Sequence, residues 1–511
     1  MSSEKVTVAT SKDEGSNIKF IRRVIVGIIL AIAVSFGLPL FFSTTTIYRA
    51  ELPINQINDK VVNFGNEVSF RIPVYLDLPN SLEHFIPTAQ NYIDDKLRSR
   101  FPQLNNIWSL ELKRINSNVR EERDYIVKFE YIEPPTGEDE SLPTESFYIS
   151  PFSKTSVLTL TDAVVNAKKV DDFLSVILLD QVFKEEIEQI NRLINEESKT
   201  STSKDVVLPY SPKYNIVFSL LTEGGKSISW DIEKSSELLK PIFKKLAPFA
   251  NFTISSQIQY YSTLTNSPIY DENENAFIIP EEDLSTFINH GDWNLITHDI
   301  NPTINFIVYF GQSNYDHKPL LVDNSKTNSF LIPQWGGVNV FNKEYTEGHS
   351  INIDENDLIP IMETFTSQLF ELLGIVKNPK SPSIRFDSLS RISAYKNLKK
   401  SLENLSSLVK LTESLNEISI PKLTKEHVLQ TLQYFDNSVK ALIEQQFELA
   451  MTYSSKSILS SDKAFFEKEM VQQAYFPSEH KLAVFLPLLG PVSSIIIIGL
   501  IKLVKDVKAN N

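Results

Sequence analysis

Seven histidines are the natural starting point for any search for chemistry: His84, His290, His298, His317, His349, His427 and His480. No two stand four residues apart, the spacing that sets two imidazoles on one helix face, and no His-Glu-x-x-His occurs. His298-Asp299 and Asp316-His317 are neighbours in sequence, but adjacency does not aim one side chain at the next. The chain has no cysteine. That removes disulfides, thiolate metal ligands and a cysteine nucleophile together. Gly311-Gln312-Ser313-Asn314 holds only half of a nucleophile elbow. There is no phosphate-binding glycine loop, and the pairs Gly224-Gly225 and Gly336-Gly337 read as turns. Glu185, Glu186 and Glu188 cluster on a helical stretch and read as its solvated side. No catalytic residue, cofactor or metal site emerges from local pattern, while a triad assembled from distant residues stays open.

The elements that must position any site begin at the chain ends. Leu482–Ile501 carries no charge, and twenty residues make roughly 30 Å of helix, the thickness of a bilayer's hydrocarbon. A second apolar run spans Val24–Phe42. Both read as transmembrane helices. The first is long for a signal peptide and lacks a cleavage pattern after Phe42. Lys502, Lys505 and Lys508 after the second argue against a removable glycolipid-attachment tail. Lys19, Arg22 and Arg23 before the first run, with those lysines after the second, put both termini in the cytosol. The expected layout is a cytosolic tail 1–23, a span 24–42, a large body 43–481 on the far side, a span 482–501 and a cytosolic tail 502–511. Small residues and helix-loosening prolines make Gly27, Ser35, Gly37, Pro487, Gly490, Pro491, Ser493 and Ser494 the candidates for intramembrane contacts. Two N-glycosylation sequons fall in the body, at Asn251 and Asn404.

Hydrophobic content of 42% and charged content of 22% are globular values. A net charge of −14 argues against a nucleic-acid partner, whose phosphates need basic patches, and no Arg/Lys-rich stripe interleaved with aromatics occurs. Alternation predicts strands over 67–76, 108–114, 125–132, 156–161, 214–221, 252–261 and 303–310. Helical spacing predicts helices over 87–100, 170–197, 230–249, 355–373, 391–415 and 427–451, the last two as an antiparallel hairpin. The body is therefore expected to be mixed α/β, a mixed sheet with flanking helices over 43–199 and 200–350. A mainly helical part follows over 351–474. One stiff aromatic stretch, Asn328–Val338, contains Trp335-Gly336-Gly337, read either as a core turn or as a lumenal interface.

Four stretches resemble one family. GLPLFFSTTTIYRAELP (37–53), NSFLIPQWGGVNVFN (328–342), FTSQLFELLG (365–374) and YFPSEHKLAVFLPLLGP (475–491) are similar, in the same order, to the PIG-S family. That family is the S subunit of the glycosylphosphatidylinositol (GPI) transamidase of the endoplasmic reticulum. Phe41-Phe42 stands where the family often has Trp-Trp. The resemblance implies a non-catalytic lumenal scaffold in a two-pass membrane complex. The complex cleaves a C-terminal signal from precursor proteins and joins the new carboxyl end to a GPI lipid. The implied partners are the other subunits, including a cysteine-protease-like catalytic one, with GPI lipid and precursor met through the complex. Two other readings compete: a stand-alone lumenal lipid- or glycan-processing enzyme, and a module that recognises the precursor signal.

Overall fold

The computed structural model describes residues 11–37, 39, 48–79, 84–120, 123–131, 145–160, 170–195, 206–225, 227–287, 295, 301–311, 318–344, 350–415, 418–470, 487, 490–491, 493–501 and 504–505. Asn58–Glu403 with Gln430–Leu459 make one compact unit. The described parts of Met1–Ile57, Asn404–Leu429 and Ser460–Asn511 make a second.

The larger unit holds two five-stranded sheets. The first contains β1 (Phe70–Asp77), β2 (Trp108–Arg114), β3 (Tyr125–Tyr131), β4 (Glu145–Ile149) and β5 (Thr155–Leu160), in the order β2-β1-β3-β5-β4. All but β4 run parallel, and β4 forms an antiparallel pair with β5 at the edge. The second contains β6 (Lys213–Thr222), β8 (Asn251–Gln259), β11 (Thr303–Phe310), β13 (Ser329–Ile332) and β14 (Gly336–Val340), in the order β13-β14-β11-β6-β8. Numbered within its own sheet, each order reads 2-1-3-5-4, with the fourth strand antiparallel. The same topology is therefore built twice. Helices occupy corresponding places. α3 (Phe85–Arg100) lies between the first two strands of sheet one, and α6 (Ile232–Ser236) with α7 (Lys240–Leu246) lies between those of sheet two. α4 (Val170–Ser175) and α5 (Lys184–Asn195) follow sheet one, and α8 (Glu355–Leu372) follows sheet two.

β6 and β11 are buried along nearly their whole length, as their continuous apolar runs require of central parallel strands. On one face Ile216, Phe218, Phe306 and Val308 pack against Leu358, Ile361 and Phe365 of α8. Phe306 stacks on Phe365 at 4.7 Å between ring centroids. On the other face Leu221, Ile307, Tyr309 and Val338 meet a small sheet inserted between the main strands. It comprises β9 (Ile269–Asp271), β10 (Ala276–Ile279) and β12 (Leu320–Val322). A two-stranded pair, β7 (Ile228–Trp230) with β15 (Ile351–Ile353), completes the strands.

The helical part differs from the predicted hairpin. α9 (Pro382–Ser414), α10 (Lys422–Ile443) and α11 (Phe447–Phe465) are three helices. The predicted 427–451 helix breaks at Gln445, whose φ of 61° is left-handed and cannot continue an α-helix. α9 begins nine residues before the expected Arg391, at Pro382, because proline is tolerated at a first helical position. Within the larger unit these helices approach through small polar residues: Ser457 Oγ lies 3.1 Å from the Thr431 carbonyl oxygen and 3.2 Å from Ser401 Oγ, with its one proton to share between them. Elsewhere, Glu67 ends the helix α2 (Ile54–Glu67) and 68–69 link it to β1, so the strand opens three residues later than expected, at Phe70. The expected 170–197 helix is divided by a π-helical turn, Val176–Val182. The expected 230–249 helix is two short helices joined by a 3₁₀ turn.

In the second unit α1 (Ser11–Ile32) passes into a π-helical turn, Ala33–Gly37. Among the described residues no helix is long and apolar enough to cross a membrane. Regular α-helix ends at Ile32 and includes Lys19, Arg22 and Arg23, and the expected spans 24–42 and 482–501 lie only partly within the described residues. Large apolar side chains on these terminal helices stand uncovered, among them Ile25, Ile28, Phe36, Ile497, Ile498 and Ile501. The two helices touch where Gly499 meets Val26: a Cβ at Gly499 would lie 3.0 Å from Val26 Cγ2.

Within this unit the Arg49 guanidinium donates to the carbonyls of Thr412 (2.7 Å), Leu415 (3.0 Å) and Ile418 (3.2 Å). These carbonyls lie at and beyond the C-terminus of α9, where a cation also meets the negative end of the helix dipole. Main-chain bonds Ala50–Ile420 and Ile420–Tyr48, both 2.9 Å, hold the segment alongside. Replacing Arg49 by Met is expected to speed amide exchange in the last turn of α9 by about tenfold or more, leaving strands β6 and β11 unchanged. Unchanged exchange over 411–415 would show that the main-chain bonds alone hold this junction.

Candidate functional site

Two clefts open on the larger unit. One, of about 740 Å³, is lined by Tyr148, Asp180, Lys184, Glu185, Glu188 and Lys380 among others. The other, of about 830 Å³, is lined by Tyr75, Tyr125, Lys154, Asp387, Glu444 and Phe447 among others. Among the described residues no histidine, serine or cysteine lines either. In the second cleft Lys154 is engaged, donating to Asp387 (2.5 Å) and to the Arg123 carbonyl (2.8 Å). Among the described residues no group of three or more His, Asp or Glu side chains could hold a metal ion. The histidine–aspartate neighbours His298-Asp299 and Asp316-His317 lie outside the described residues.

Beneath the second cleft sits the most charged interior point. Glu186, expected on a solvated face, is 1% exposed. Its Oε1 accepts from Trp108 Nε1 (2.8 Å) and Arg391 Nε (2.7 Å). Its Oε2 accepts from Ser388 (2.6 Å) and Arg391 Nη2 (2.6 Å). Arg391 is fully buried, and its Nη2 also donates to the Tyr125 hydroxyl at 3.2 Å. The guanidinium carbon lies 4.9 Å from the centre of the Phe447 ring. Burial is the largest single influence on Arg391 and lowers its pKa, but the Glu186 carboxylate, Tyr125 and Asp387 together outweigh it and the net shift is upward. Burial pushes the Tyr125 phenol well above its usual range, which Arg391 only partly offsets, so the phenol keeps its proton. Both Glu186 oxygens are saturated, by Trp108 of β2 and by Ser388 and Arg391 of α9. The cluster ties sheet one to the helical part and leaves no acceptor for a substrate proton. The solvated reading failed because Glu186 lies on the same face of α5 as the buried Ile187 and Ile190 and turns inward with them. Glu185 is also occupied, accepting the main-chain N–H groups of Lys377 (2.5 Å) and Asn378 (3.1 Å).

The positions singled out from sequence are dispersed. Gly336 and Gly337 open the buried strand β14, and Trp335 lies half-buried in the turn from β13, packed on the second core. A Cβ on Gly336 would lie 1.8 Å from the Asn305 carbonyl oxygen, and one on Gly337 would lie 1.9 Å from Gln368 Oε1. Both glycines thus permit close approach inside the body. Asn251 begins edge strand β8 and is exposed. Asn404 is spoken for: its Nδ2 donates to Ser461 Oγ (3.1 Å) and Asp462 Oδ1 (2.7 Å). Gly27, Ser35, Gly37, Pro487, Gly490, Pro491, Ser493 and Ser494 are exposed. A Cβ on Gly27, Gly37 or Gly490 would meet nothing within 4 Å. Gly499, the glycine that does meet a neighbouring helix, was not among the residues chosen from sequence. Its only signal was its place within the apolar run.

Two repeated α/β sheets, a helical C-terminal part and an apolar helix near each end define a class of large, layered α/β chain. Within that class the chain belongs to the PIG-S family: the family model described as "Phosphatidylinositol-glycan biosynthesis class S protein" matches residues 28–510. It is 28% identical to the GPI transamidase component GPI17 of Saccharomyces cerevisiae, over 93% of this chain and 91% of that one. It is 26% identical to the human GPI-anchor transamidase component PIGS, over 93% of both. A Schizosaccharomyces pombe relative, named GPI transamidase component PIG-S homolog, is 31% identical over 61% of this chain and 57% of its own length.

Removing one member of the buried pair should cost more than removing both. Glu186→Gln or Arg391→Met is expected to lower unfolding stability by about 3–5 kcal/mol, because each strands a buried charge. Glu186→Leu combined with Arg391→Met is expected to recover at least half of that loss. Urea unfolding of the three proteins measures this, and single variants as stable as the parent would refute a shared dependence.

Proposed function

We propose that this chain is the PIG-S-type subunit of a GPI transamidase, contributing to attachment of preassembled GPI anchors to precursor proteins. The observation that carries this reading is the end-to-end likeness to GPI17, which spans nearly the whole of both chains rather than one shared domain. The role is positioning rather than catalysis. It is supported by the Glu186–Arg391 cluster, whose saturated carboxylate ties β2 and α9 together. The nucleophile belongs to a separate cysteine-protease-like subunit.

The chain crosses the endoplasmic reticulum membrane twice, at 24–42 and 482–501, with both termini cytosolic. Support comes from the charge-free runs and from the uncovered apolar side chains of the terminal helices, which water would not favour. Their open faces at Gly27, Gly37 and Gly490 accept helices of other subunits, while Gly499 and Val26 hold the two spans to one another.

Purification of the tagged full chain in mild detergent is expected to bring a cysteine-protease-like subunit and further membrane proteins in fixed ratio. A lone, monodisperse chain would sink the subunit reading and favour a stand-alone enzyme. Lumenal placement gives a second test. Asn251, exposed, is expected to carry a glycan. Asn404, whose amide nitrogen is bound to two neighbours, is expected to carry none. Asn251→Gln should then abolish the glycosidase-sensitive mass shift and Asn404→Gln should leave it intact, whereas a body without any glycan would argue for the opposite topology.

A further inference from the structure

An exposed sheet edge offers a row of main-chain donors and acceptors, and proteins usually blunt such edges with short strands, charges, proline or a cover. Most edges here are blunted. β4 has five residues and β13 four. β2 carries Glu111, Lys113 and Arg114 and is also capped by a side chain. Gln90 of α3 donates to the Leu110 carbonyl (3.0 Å) and accepts from the Leu112 N–H (2.8 Å). These are outward-facing groups of that edge.

β8 holds the corresponding place in the second sheet and has none of these protections among the described residues. Its nine residues, Asn-Phe-Thr-Ile-Ser-Ser-Gln-Ile-Gln, include no charge and no proline. The helical stretch before it is broken into α6, a 3₁₀ turn and the seven-residue α7, whose Phe243 stacks on Phe252 near the start of the strand at 5.0 Å, whereas α3 is an unbroken sixteen residues. Ile254 and Ile258, which share the face of the buried Ile216 and Leu220, are consequently 41% and 38% exposed. The outward groups can be assigned. Asn251 N–H bonds inward to the Pro212 carbonyl at 2.9 Å. By strand alternation, the main-chain groups of Ile254, Ser256 and Ile258 point away from β6.

We infer that β8 is a docking edge for an extended segment of a partner subunit, which adds a further strand to the second sheet. This rests on the subunit reading above. The edge itself names the occupant's chemistry. Unpaired main-chain groups call for a strand, and the absence of charge calls for an uncharged one. The occupant's alternate side chains must be apolar against Ile254 and Ile258 and polar beside Thr253, Ser255 and Gln257. An exposed Asn251 at the start of β8 leaves room for a glycan outside the paired stretch.

Hydrogen exchange over residues 251–260, compared between the purified complex and the chain separated from it, tests the contact. Pairing is expected to slow the amides of Ile254, Ser256 and Ile258 by at least tenfold in the complex, while the already inward amides change little. Ile254→Lys places a charge on an exposed side chain, so its melting temperature should match the parent. Its recovery of partner subunits should fall at least tenfold, and Phe152→Lys, at an exposed site elsewhere, should not change it. If Ile254→Lys lowers the melting temperature, Ser256→Lys at an exposed position replaces it, with the same expectation. A complex recovered in full with either variant, or equal exchange in complex and free chain, overturns the docking edge and leaves the subunit reading standing. A parent chain that purifies alone, with 251–260 exchanging as in the free protein, overturns both.

Discussion

The Glu186–Arg391 pair is the constraint around which the larger unit is assembled. Two full charges are held away from water, a placement tolerated only when each is paired and hydrogen-bonded. The partners are 205 positions apart in sequence. Their donors and acceptors come from β2, β3, α5 and α9, so those four elements must arrive together for any one charge to be satisfied. The aromatic rings of Tyr125, Phe183 and Phe447 close over the guanidinium and keep water out.

Around that point the chain repeats itself. Two sheets share strand order and strand direction, yet they are finished differently. The first is closed at its edge by a long helix and by Gln90. The second is thickened on one face by the inserted β9-β10-β12 sheet and left open at β8. Its β14 can lie close to both β11 and α8 because Gly336 and Gly337 carry no Cβ. The two halves thus share a topology and differ in how their edges are covered.

Much of this was legible from local pattern. Strands such as β2, β6 and β11 were predicted to within a residue or two, since their alternation or continuous apolar runs reflect the side chains' own neighbours. The family resemblance was legible too, because it rests on ordered stretches of residues. The short strands β7, β9, β12 and β15 were not predicted, since three residues carry no period. The break at Gln445 was missed because a left-handed non-glycine residue has no compositional signal.

By itself the sequence determined the charge-free terminal runs, the absence of thiol chemistry, the α/β character of the body and the helical nature of its last third. Each depends on residue types or on spacings of a few positions. The tertiary structure alone decided that Glu186 is buried while Asn251 is exposed, that the Asn404 amide is already bound, and that the two sheets are copies in topology. These depend on which distant segments meet. A carboxylate within an amphipathic helix reads the same whether water or an arginine 205 positions later is waiting for it.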